Sequence, residues 1–362
     1  EEAFNARAND LAADIGSSSS DEGASIRLRS LSRAEVLQPA LKLVNQSLTE
    51  PRFDAEVFRR RQNQSVTALQ QNETDPAFVA DRAATLLDYP DHPYGSSART
   101  SEQSLRAVTL ADIRAFHRSR YGKNNAIVAV VGDIDRRQTE ALVQTVLAGL
   151  PAKSSRSAAV PPVPERNAQR RDIPFAAEQA QIVMSMPLIR RDDPDYYALV
   201  VGNYILGSGG FDGRLMKTLR DQYGYTYGAY SNLAPATEAG AFSIAFSTQK
   251  TNAAPALAAA QKVLADFVAE GPTEAELQQA KSNLVGTFPL RFDTNAKLLQ
   301  YLSLIGFYNL PADYLEAYPK AVAAISSAQI KAAWQRRVQP QNMNIVVVGA
   351  DAPKNTDAQS KK

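Results

Sequence analysis

The chain has no cysteine and only two histidines among its 362 residues. Without cysteine it can form neither disulfides nor thiolate metal sites, and it has no cysteine nucleophile. Long apolar runs are also missing. The longest, 126-AIVAVVG-132 and 344-NIVVVGA-350, have the length of buried strands, whereas a membrane helix needs about 18 or more residues. The sequence therefore predicts no membrane span.

Neither sign of charge is in large excess. Lysine and arginine number 40 and aspartate and glutamate 38, which gives a formal net charge of +2. A nucleic-acid-binding surface needs a clustered basic excess, so no nucleic-acid partner is predicted. The two basic runs, 59-RRR-61 and 166-RNAQRR-171, are interpreted as solvated faces of a helix and of a linker.

A segment rich in proline and serine divides the chain. The run 151-PAKSSRSAAVPPVPE-165 is typical of a linker. The predicted organisation is an N-terminal half at residues 1–150, a linker at 151–171, a C-terminal half at 172–350 and a polar tail at 351–362. Two domains are also the expected number for a soluble chain of this length.

The ends of the two halves repeat each other, since residues 104–133 align with residues 321–350 without a gap. The matching pairs are Val108 and Ile325, Ile113 and Ile330, Arg120 and Arg337, Asn125 and Asn342, and Gly132 and Gly349. Each copy is predicted to be a helix capped by threonine or serine, a polar turn and a β-branched strand. The sequence thus predicts an α+β fold, a duplicated unit with an antiparallel sheet and helices covering one face in each half.

One part of the repeat occurs only in the second half. Residues 172–210 contain a predicted strand at 179–188 and a predicted helix at 194–206, and nothing in the first half corresponds to them. A unit that lacks this strand and helix exposes a sheet edge. We therefore expect that the N-terminal half lacks its first strand and helix in the present sequence, through truncation, processing or disorder.

A glycine-rich loop opens the stretch 207-GSGGFDGRLMKTLRDQYGYTYGAYS-231. Gly207, Gly209 and Gly210 permit tight turns and close backbone approach, and Asp212 can cap the helix that follows. The predicted buried face of this helix is formed by Leu215, Met216 and Leu219.

Arg220 lies near the end of this helix, and Tyr227 lies seven residues later on a predicted strand. Gly224, between them, suits the position just after the helix. Arg220 can complement the helix dipole without any further role, and Tyr227 can be one of several strand aromatics. On spacing alone, a functional and a purely structural interpretation both stay open.

The run DDPDYYALVVGNYILGSGGFDGRLMKTLRDQYGYTYGAYS, at 192–231, resembles the C-terminal half of pitrilysin-type zinc peptidases, the inverzincin or M16 family. In the first half LVNQSLTEPRFDAEVF, NETDPAFVADRAATLLDYPDHPYG and VVGDID are similar to the same family, so that the resemblance extends from about Glu2 to Gly349. It implies a duplicated pitrilysin-like or processing-peptidase-like fold.

The family carries an HxxEH helix whose two histidines bind zinc and whose glutamate activates water, with a further glutamate as ligand. This chain has no HxxEH. His92 and His117 are too far apart in sequence for such a pair; His92 is expected in a surface loop and His117 in a packing role. The resemblance places the downstream ligand near Arg59, Arg61 and Ala68, where a cation repels a metal ion. No zinc site is therefore predicted in this chain.

In two-chain bacterial members one subunit carries zinc and the other an arginine and a tyrosine seven residues apart. The resemblance therefore implies a non-catalytic partner subunit of a heterodimeric zinc metallopeptidase, with Arg220 and Tyr227 contacting substrate and stabilising the transition state. The expected partners are a zinc-bearing HxxEH subunit and a peptide or unfolded protein. Whether the chain counts as an enzyme by itself stays open.

Two alternatives remain: a complete homodimeric zinc peptidase whose HxxEH segment is missing from the sequence, and a purely structural subunit.

The loop glycines 207, 209 and 210 are either a hinge or a fixed turn, and 16-GSSSSDEG-23 is either a degenerate sheet edge or a plain loop. The absence of cysteine and the bacterial character of the resemblance favour a soluble periplasmic protein.

Overall fold

The computed structural model describes residues 2–155 and 159–350. By internal contacts the chain divides into two compact units. Unit 1 contains the residues up to Leu69, Thr100–Val160 and Phe288–Tyr314, and unit 2 contains Gln70–Arg99, Pro161–Thr287 and the residues from Leu315 onward. Both units draw on both sides of the linker. The division into halves at 1–150 and 172–350 therefore stays a prediction, and the predicted tail at 351–362 lies outside the described residues.

The helices of the described residues are, in chain order, α1 (Glu2–Asp10), α2 (Ala34–Thr49), α3 (Ala55–Asn72), α4 (Pro76–Asp88), α5 (Glu102–Ala107), α6 (Leu110–Arg120), α7 (Arg136–Val146), α8 (Tyr196–Asn203), α9 (Ala253–Glu270), α10 (Glu274–Gly286), α11 (Asn295–Phe307), α12 (Tyr314–Ala324) and α13 (Ser327–Arg337). The strands are β1 (Asp14–Ser19), β2 (Ala24–Arg29), β3 (Arg170–Ile173), β4 (Gln179–Ile189), β5 (Ala229–Leu233), β6 (Gly240–Gln249) and β7 (Asn344–Val348). None of the described helices is long and apolar enough to cross a membrane.

The sheet of unit 2 confirms the predicted α+β class. Its strand order is β3-β7-β4-β6-β5, and its strand pairs are antiparallel apart from the parallel pair β3–β7. Strand β6 alternates between buried and half-buried residues, which is the pattern of a strand in a covered sheet. Phe242, on this strand, packs edge-on against Trp334 of α13 with ring centroids 5.5 Å apart.

The sheet of unit 2 also has a helix on its other face. Small residues of α4, including Ala80 and Ala83, form one buried cluster with Val183 of β4 and Val346 of β7. Since neighbouring residues of a strand point to opposite faces, Val183 faces away from the side on which Ile182 is buried. Helices cover one face of the sheet, as predicted, and α4, from the N-terminal side of the linker, covers part of the second face as well.

Unit 1 contains a two-stranded antiparallel sheet of β1 and β2. Residues 16–19 belong to β1 and their serines are exposed, which favours the degenerate-edge interpretation of this segment over a plain loop. The predicted strand at 126–131 is extended but pairs with no strand of the described residues, and Ile127 is 52% exposed. A strand needs a hydrogen-bonded neighbour, and the counterpart segment β7 has two, β3 and β4.

The predicted caps of the repeated helices are present in both copies. Thr109 and Asp112 form a capping box at the start of α6, and Ser326 and Gln329 form one at the start of α13. Each box satisfies two backbone N–H groups that have no partner inside the helix.

Candidate functional site

The glycine-rich loop lies between two segments of π-helix in unit 2. Helix α8 continues into a first π segment, Tyr204–Ser208. A 3₁₀ turn follows at Gly210–Asp212, and the next helix contains a second π segment, Met216–Gln222. Such segments are rare, and when they occur they are frequent at functional sites.

The predicted capping role of Asp212 is wrong. Gly213 is the extended residue before the helix, and the N–H of Lys217 donates to its carbonyl at 3.0 Å. The Asp212 carboxylate instead accepts a hydrogen bond of 2.8 Å from the Gln279 side chain of α10. This contact anchors the 3₁₀ turn to a neighbouring helix.

Close packing surrounds most of the loop. A Cβ atom at Gly207 would lie 2.7 Å from both Leu215 and Ser231, and one at Gly209 would lie 2.7 Å from the Tyr204 carbonyl. Gly210 has a φ of +69°, which disfavours other residues. These features are those of a fixed turn, and a hinge role for the glycines stays a prediction.

Arg220 lies on the exposed side of the helix that contains the second π segment. The other side of this helix, as predicted, buries Leu215, Met216 and Leu219. The side chain of Arg220 is 40% exposed. The guanidinium carbon lies over the ring of Phe211, 4.9 Å from the centroid, and an ion pair with neighbouring Asp221 measures 3.7 Å. Gly224, with a φ of +63°, ends the helix as predicted.

Tyr227 lies in the loop before β5 and not on a strand, which corrects the expected placement. The strand begins only at Ala229, whose N–H donates to the Met216 sulfur at 3.3 Å. Thr226 is buried and exchanges hydrogen bonds with Gly228, at 2.9 Å to its carbonyl and 3.1 Å from its N–H. These bonds restrain the loop, so Tyr227, at 89% exposed, projects from an anchored backbone.

The site therefore presents a guanidinium and a phenol on a restrained surface. Within the described residues no hydrogen bond joins Arg220 to Tyr227, and both lie in the same stretch of unit 2. A guanidinium binds carbonyl or carboxylate oxygens, and a phenol donates one hydrogen bond. The roles of Arg220 and Tyr227 stay predictions.

A second arginine fixes the start of the same helix. Arg214 donates to both carboxylate oxygens of Glu276, each at 2.7 Å, and its guanidinium lies 5.1 Å from the Phe267 ring centroid. Although partial burial opposes ionisation, the hydrogen bonds from Arg214 and Thr273 lower the pKa of Glu276 to about 2. The pair stays ionised at neutral pH and joins the helix to α10.

The residues where the resemblance places a zinc ligand do not fit a metal ion. Arg59, Arg61 and Ala68 lie on α3 with exposed side chains. Two of the three are permanent cations, which offer no lone pair. In the described part of the chain, no three histidine, aspartate or glutamate side chains are grouped so that they could hold a metal ion.

The two histidines have structural contacts. His92 is buried, not exposed as predicted, because Tyr94 packs on it at 4.6 Å between ring centroids. Its Nδ1 accepts from the Tyr94 N–H at 3.2 Å, so Nε2 carries the proton and donates to the Pro161 carbonyl at 2.7 Å. His117 has the predicted packing role, stacked on Tyr121 at 5.0 Å and hydrogen-bonded to the Leu48 carbonyl.

Sequence reasoning missed Phe211, the ring beneath Arg220. The residue is 68% exposed between loop glycines. An exposed aromatic residue in such a loop is a signal that the sequence does contain, since aromatic residues are enriched at binding surfaces.

Comparison with solved structures first defines the fold class. The crystal structure of a peptidase M16 inactive domain from Pseudomonas fluorescens is 34% identical, with a TM-score of 0.93 over 97% of this chain and 84% of that one. A protease from Helicobacter pylori is 16% identical with a TM-score of 0.83, over 95% of this chain and 83% of that one. The periplasmic protease PqqL from Escherichia coli is 18% identical with a TM-score of 0.78, over 97% of this chain but 39% of its own length.

The sequence comparisons agree with these structures. The family described as peptidase M16 inactive domain matches residues 107–284, which include Arg220 and Tyr227. The chain therefore belongs to the peptidase M16 family and matches its inactive domain, which confirms the resemblance seen in the sequence.

Named relatives include both peptidases and non-peptidases. The non-peptidase homolog YmxG of Helicobacter pylori is 24% identical over 80% of this chain and 67% of its own length. An uncharacterized zinc protease of Mycobacterium leprae is 30% identical over 55% of this chain and 45% of its own length. The chain thus spans between about half and two thirds of the length of these curated relatives.

Proposed function

We propose that this chain is the non-zinc subunit of a two-chain zinc peptidase, to which it supplies Arg220 and Tyr227. The observation that carries the proposal is the presentation of these two side chains. Each is exposed, and each projects from a backbone that buried neighbours and hydrogen bonds hold in place. The match to an inactive domain of the family supports a chain that does not cleave peptides alone.

In this proposal the chain binds and orients the peptide. The Arg220 guanidinium donates to a carbonyl or carboxylate oxygen of the substrate. The Tyr227 phenol donates to the oxygen that becomes negative when water attacks the scissile amide. The attacking water and its zinc ion belong to the partner subunit, because the residues at Arg59 and Arg61 do not fit the metal.

The test begins with capture of a partner. The tagged chain is purified from the organism that encodes it, and a co-purifying M16 protein with an HxxEH motif is sought. The two chains are then mixed and assayed on fluorescein-labelled casein. Cleavage that needs both chains supports the proposal. Assembly without cleavage favours the purely structural subunit instead.

Two substitutions then test the site itself. Arg220→Ala and Tyr227→Phe are each expected to reduce kcat/KM of the complex by about tenfold or more, since loss of one transition-state donor costs up to about 10³ in rate. Co-elution in size-exclusion chromatography should be unchanged. Tyr223→Phe is the matched control, because Tyr223 is a neighbouring tyrosine, 49% exposed, that stacks on Tyr225. Unchanged turnover in both site variants would contradict the assigned roles.

The alternative of a complete homodimeric peptidase is tested by the zinc content of the full-length chain alone. The proposal expects almost no zinc by elemental analysis. About one zinc per chain, with cleavage by the chain alone, would establish a working site of its own.

We further propose a periplasmic location, and cell fractionation that finds the chain in the cytoplasm would contradict it.

A further inference from the structure

We infer that Phe211 is a positioning residue for Arg220: its ring holds the guanidinium so that the N–H groups face an oxygen of the bound peptide. The inference rests on the proposed function, since it concerns the peptide that Arg220 is proposed to bind. It assigns a role to a residue that does not itself donate or accept a hydrogen bond.

The turn that carries Phe211 is held in place by its neighbours in the chain. Asp212 is tied to α10 through Gln279, at 2.8 Å. A Cβ atom at Gly213 would lie 3.1 Å from the Cα of Gly207, so the two ends of the loop are in close contact. The backbone of Phe211 is therefore held beside the helix that carries Arg220, and the ring centroid lies 4.9 Å from the guanidinium carbon.

A comparison of the two arginines of this helix shows what Arg220 lacks. Arg214 and Arg220 each lie over a phenylalanine ring, at 5.1 Å and 4.9 Å from the centroid. Arg214 donates two hydrogen bonds of 2.7 Å to the carboxylate of Glu276. Arg220, among the described residues, has only the ion pair of 3.7 Å with Asp221, which is too long for a hydrogen bond.

The N–H groups of Arg214 donate to Glu276, whereas those of Arg220 are available to bind an oxygen of another molecule. Contact with an aromatic ring uses the flat face of a guanidinium, whereas hydrogen bonds form in its plane, so that both fit at once. A substrate oxygen, either of a carboxylate or of a peptide carbonyl, has the chemistry to accept these hydrogen bonds. The ring then limits the rotamers of Arg220 before the peptide arrives, which reduces the entropy lost on binding.

The experiment uses the assembled complex and an internally quenched peptide that the unsubstituted complex cleaves. Phe211→Leu keeps an apolar side chain but removes the ring. It is expected to raise KM about two- to fivefold, the range of a partly exposed cation–π contact, with kcat unchanged. Phe211→Tyr keeps the ring and should restore KM. In the Arg220→Ala background, Phe211→Leu should have no additional effect.

Phe116→Leu is the matched control. Phe116 is a 57% exposed phenylalanine of unit 1 with Arg120 over its ring at 5.8 Å, outside the proposed site. Its replacement should leave KM unchanged. A version of the peptide with an amidated C-terminus tests the terminal carboxylate. A rise in its KM that disappears in Arg220→Ala identifies that carboxylate as the group bound by Arg220, and equal KM values show that Arg220 binds a different oxygen, of a peptide carbonyl or of a side-chain carboxylate.

The outcomes separate this inference from the proposed function. If Arg220→Ala impairs cleavage while Phe211→Leu behaves like Phe116→Leu, the positioning role is wrong and the proposed function stands. Additive effects of Phe211→Leu and Arg220→Ala would also overturn it, because the ring would then act without Arg220. If Arg220→Ala has no effect, the proposed function fails and the positioning role fails with it.

Discussion

At the scale of single residues, Gly202 shows how closely the helices beneath the site are packed. The residue lies inside α8, and a Cβ atom there would overlap Nε1 of Trp334. Trp334 is itself confined by Phe267, at 4.8 Å between ring centroids. A glycine inside a helix costs about 0.5–1 kcal/mol relative to alanine, so the close approach explains its presence.

We expect Gly202→Ala to lower the free energy of unfolding by about 1–3 kcal/mol, because overpacking outweighs the gain in helix propensity. Denaturant unfolding measures the change. Gly286→Ala is the control, since nothing lies within 4 Å of a Cβ atom at Gly286 in α10. Equal effects of the two substitutions would contradict the packing explanation.

Asp88 is a second residue whose surroundings have a measurable consequence. It is buried at the end of α4, and the Asn344 side chain donates to it at 2.8 Å. Burial raises the pKa of Asp88 from 3.8 to about 6, and the hydrogen bond from Asn344 opposes only part of this rise. The folded protein thus binds this proton more tightly than the unfolded chain does, so stability falls as pH rises from about 4 to about 6.

Asp88→Asn is therefore expected to raise the free energy of unfolding at pH 8 by about 2–3 kcal/mol, which corresponds to a shift of about two pKa units. The gain should be smaller at pH 5, and the new amide oxygen still accepts from Asn344. Thermal unfolding at the two pH values measures the difference. An equal gain at both would show that the titration of Asp88 is not its cause.

At the scale of elements, the Arg214–Glu276 pair joins the helix of the candidate site to α10. The side chains are 18% and 25% exposed, so the pair is partly screened by solvent. The lowered pKa of Glu276 means that its contribution to stability is present above about 4.5 and is lost as pH falls toward about 2.

We expect Glu276→Gln to lower the free energy of unfolding by about 1–2 kcal/mol at pH 7, less than for a fully buried pair. The difference from the unsubstituted chain should shrink when unfolding is measured below pH 4.5, since Glu276 begins to protonate there in the unfolded chain while it is still ionised in the folded one. Asp266→Asn breaks the exposed pair with Lys262 and should change little. A difference that does not depend on pH would contradict this account.

Several elements could be predicted from the sequence because their causes are local. The capping boxes of α6 and α13 are visible as threonine or serine three residues before a polar side chain. The end of the helix that carries Arg220 could also be predicted, because Gly224 is a glycine at the position just after it and adopts a positive φ there. The family and the order of glycine loop, arginine and tyrosine were also predicted, since they depend on the order of residues alone.

Other features depend on contacts that the sequence does not show. The apolar segment at 126–131 has the pattern of a strand but no paired neighbour in the described residues. The buried ring of His92 donates its hydrogen bond to the carbonyl of Pro161, which is 69 positions away in the sequence. The π geometry around Arg220 was not predicted, because the spacing of Leu215 and Leu219 suits an α-helix equally well.

At the scale of the whole molecule, the packing of α4 bears on how the chain divides. This helix precedes the linker at 151–171, yet Ala80 and Ala83 are buried against Val183 and Val346 of the sheet that follows it. Without α4 these valines would be exposed to water, at a cost of about 25 cal/mol for each square ångström of apolar surface. The C-terminal side of the chain thus depends on a helix from the N-terminal side.

We therefore expect residues 161–350, produced alone, to bind the dye ANS and to unfold at a lower temperature than the full chain, because this apolar surface is uncovered. A synthetic peptide of Gln70–Arg99, the segment of unit 2 that contains α4, should reduce dye binding and raise the melting temperature. The same peptide with Ala83→Asp is the control and should do neither, since it places a charge against Val183 and Val346. The opposite outcome is that residues 161–350 unfold cooperatively without dye binding and that the peptide does not change their melting temperature. The C-terminal half would then be an independent domain, as the linker predicts, and α4 would not be needed for its stability.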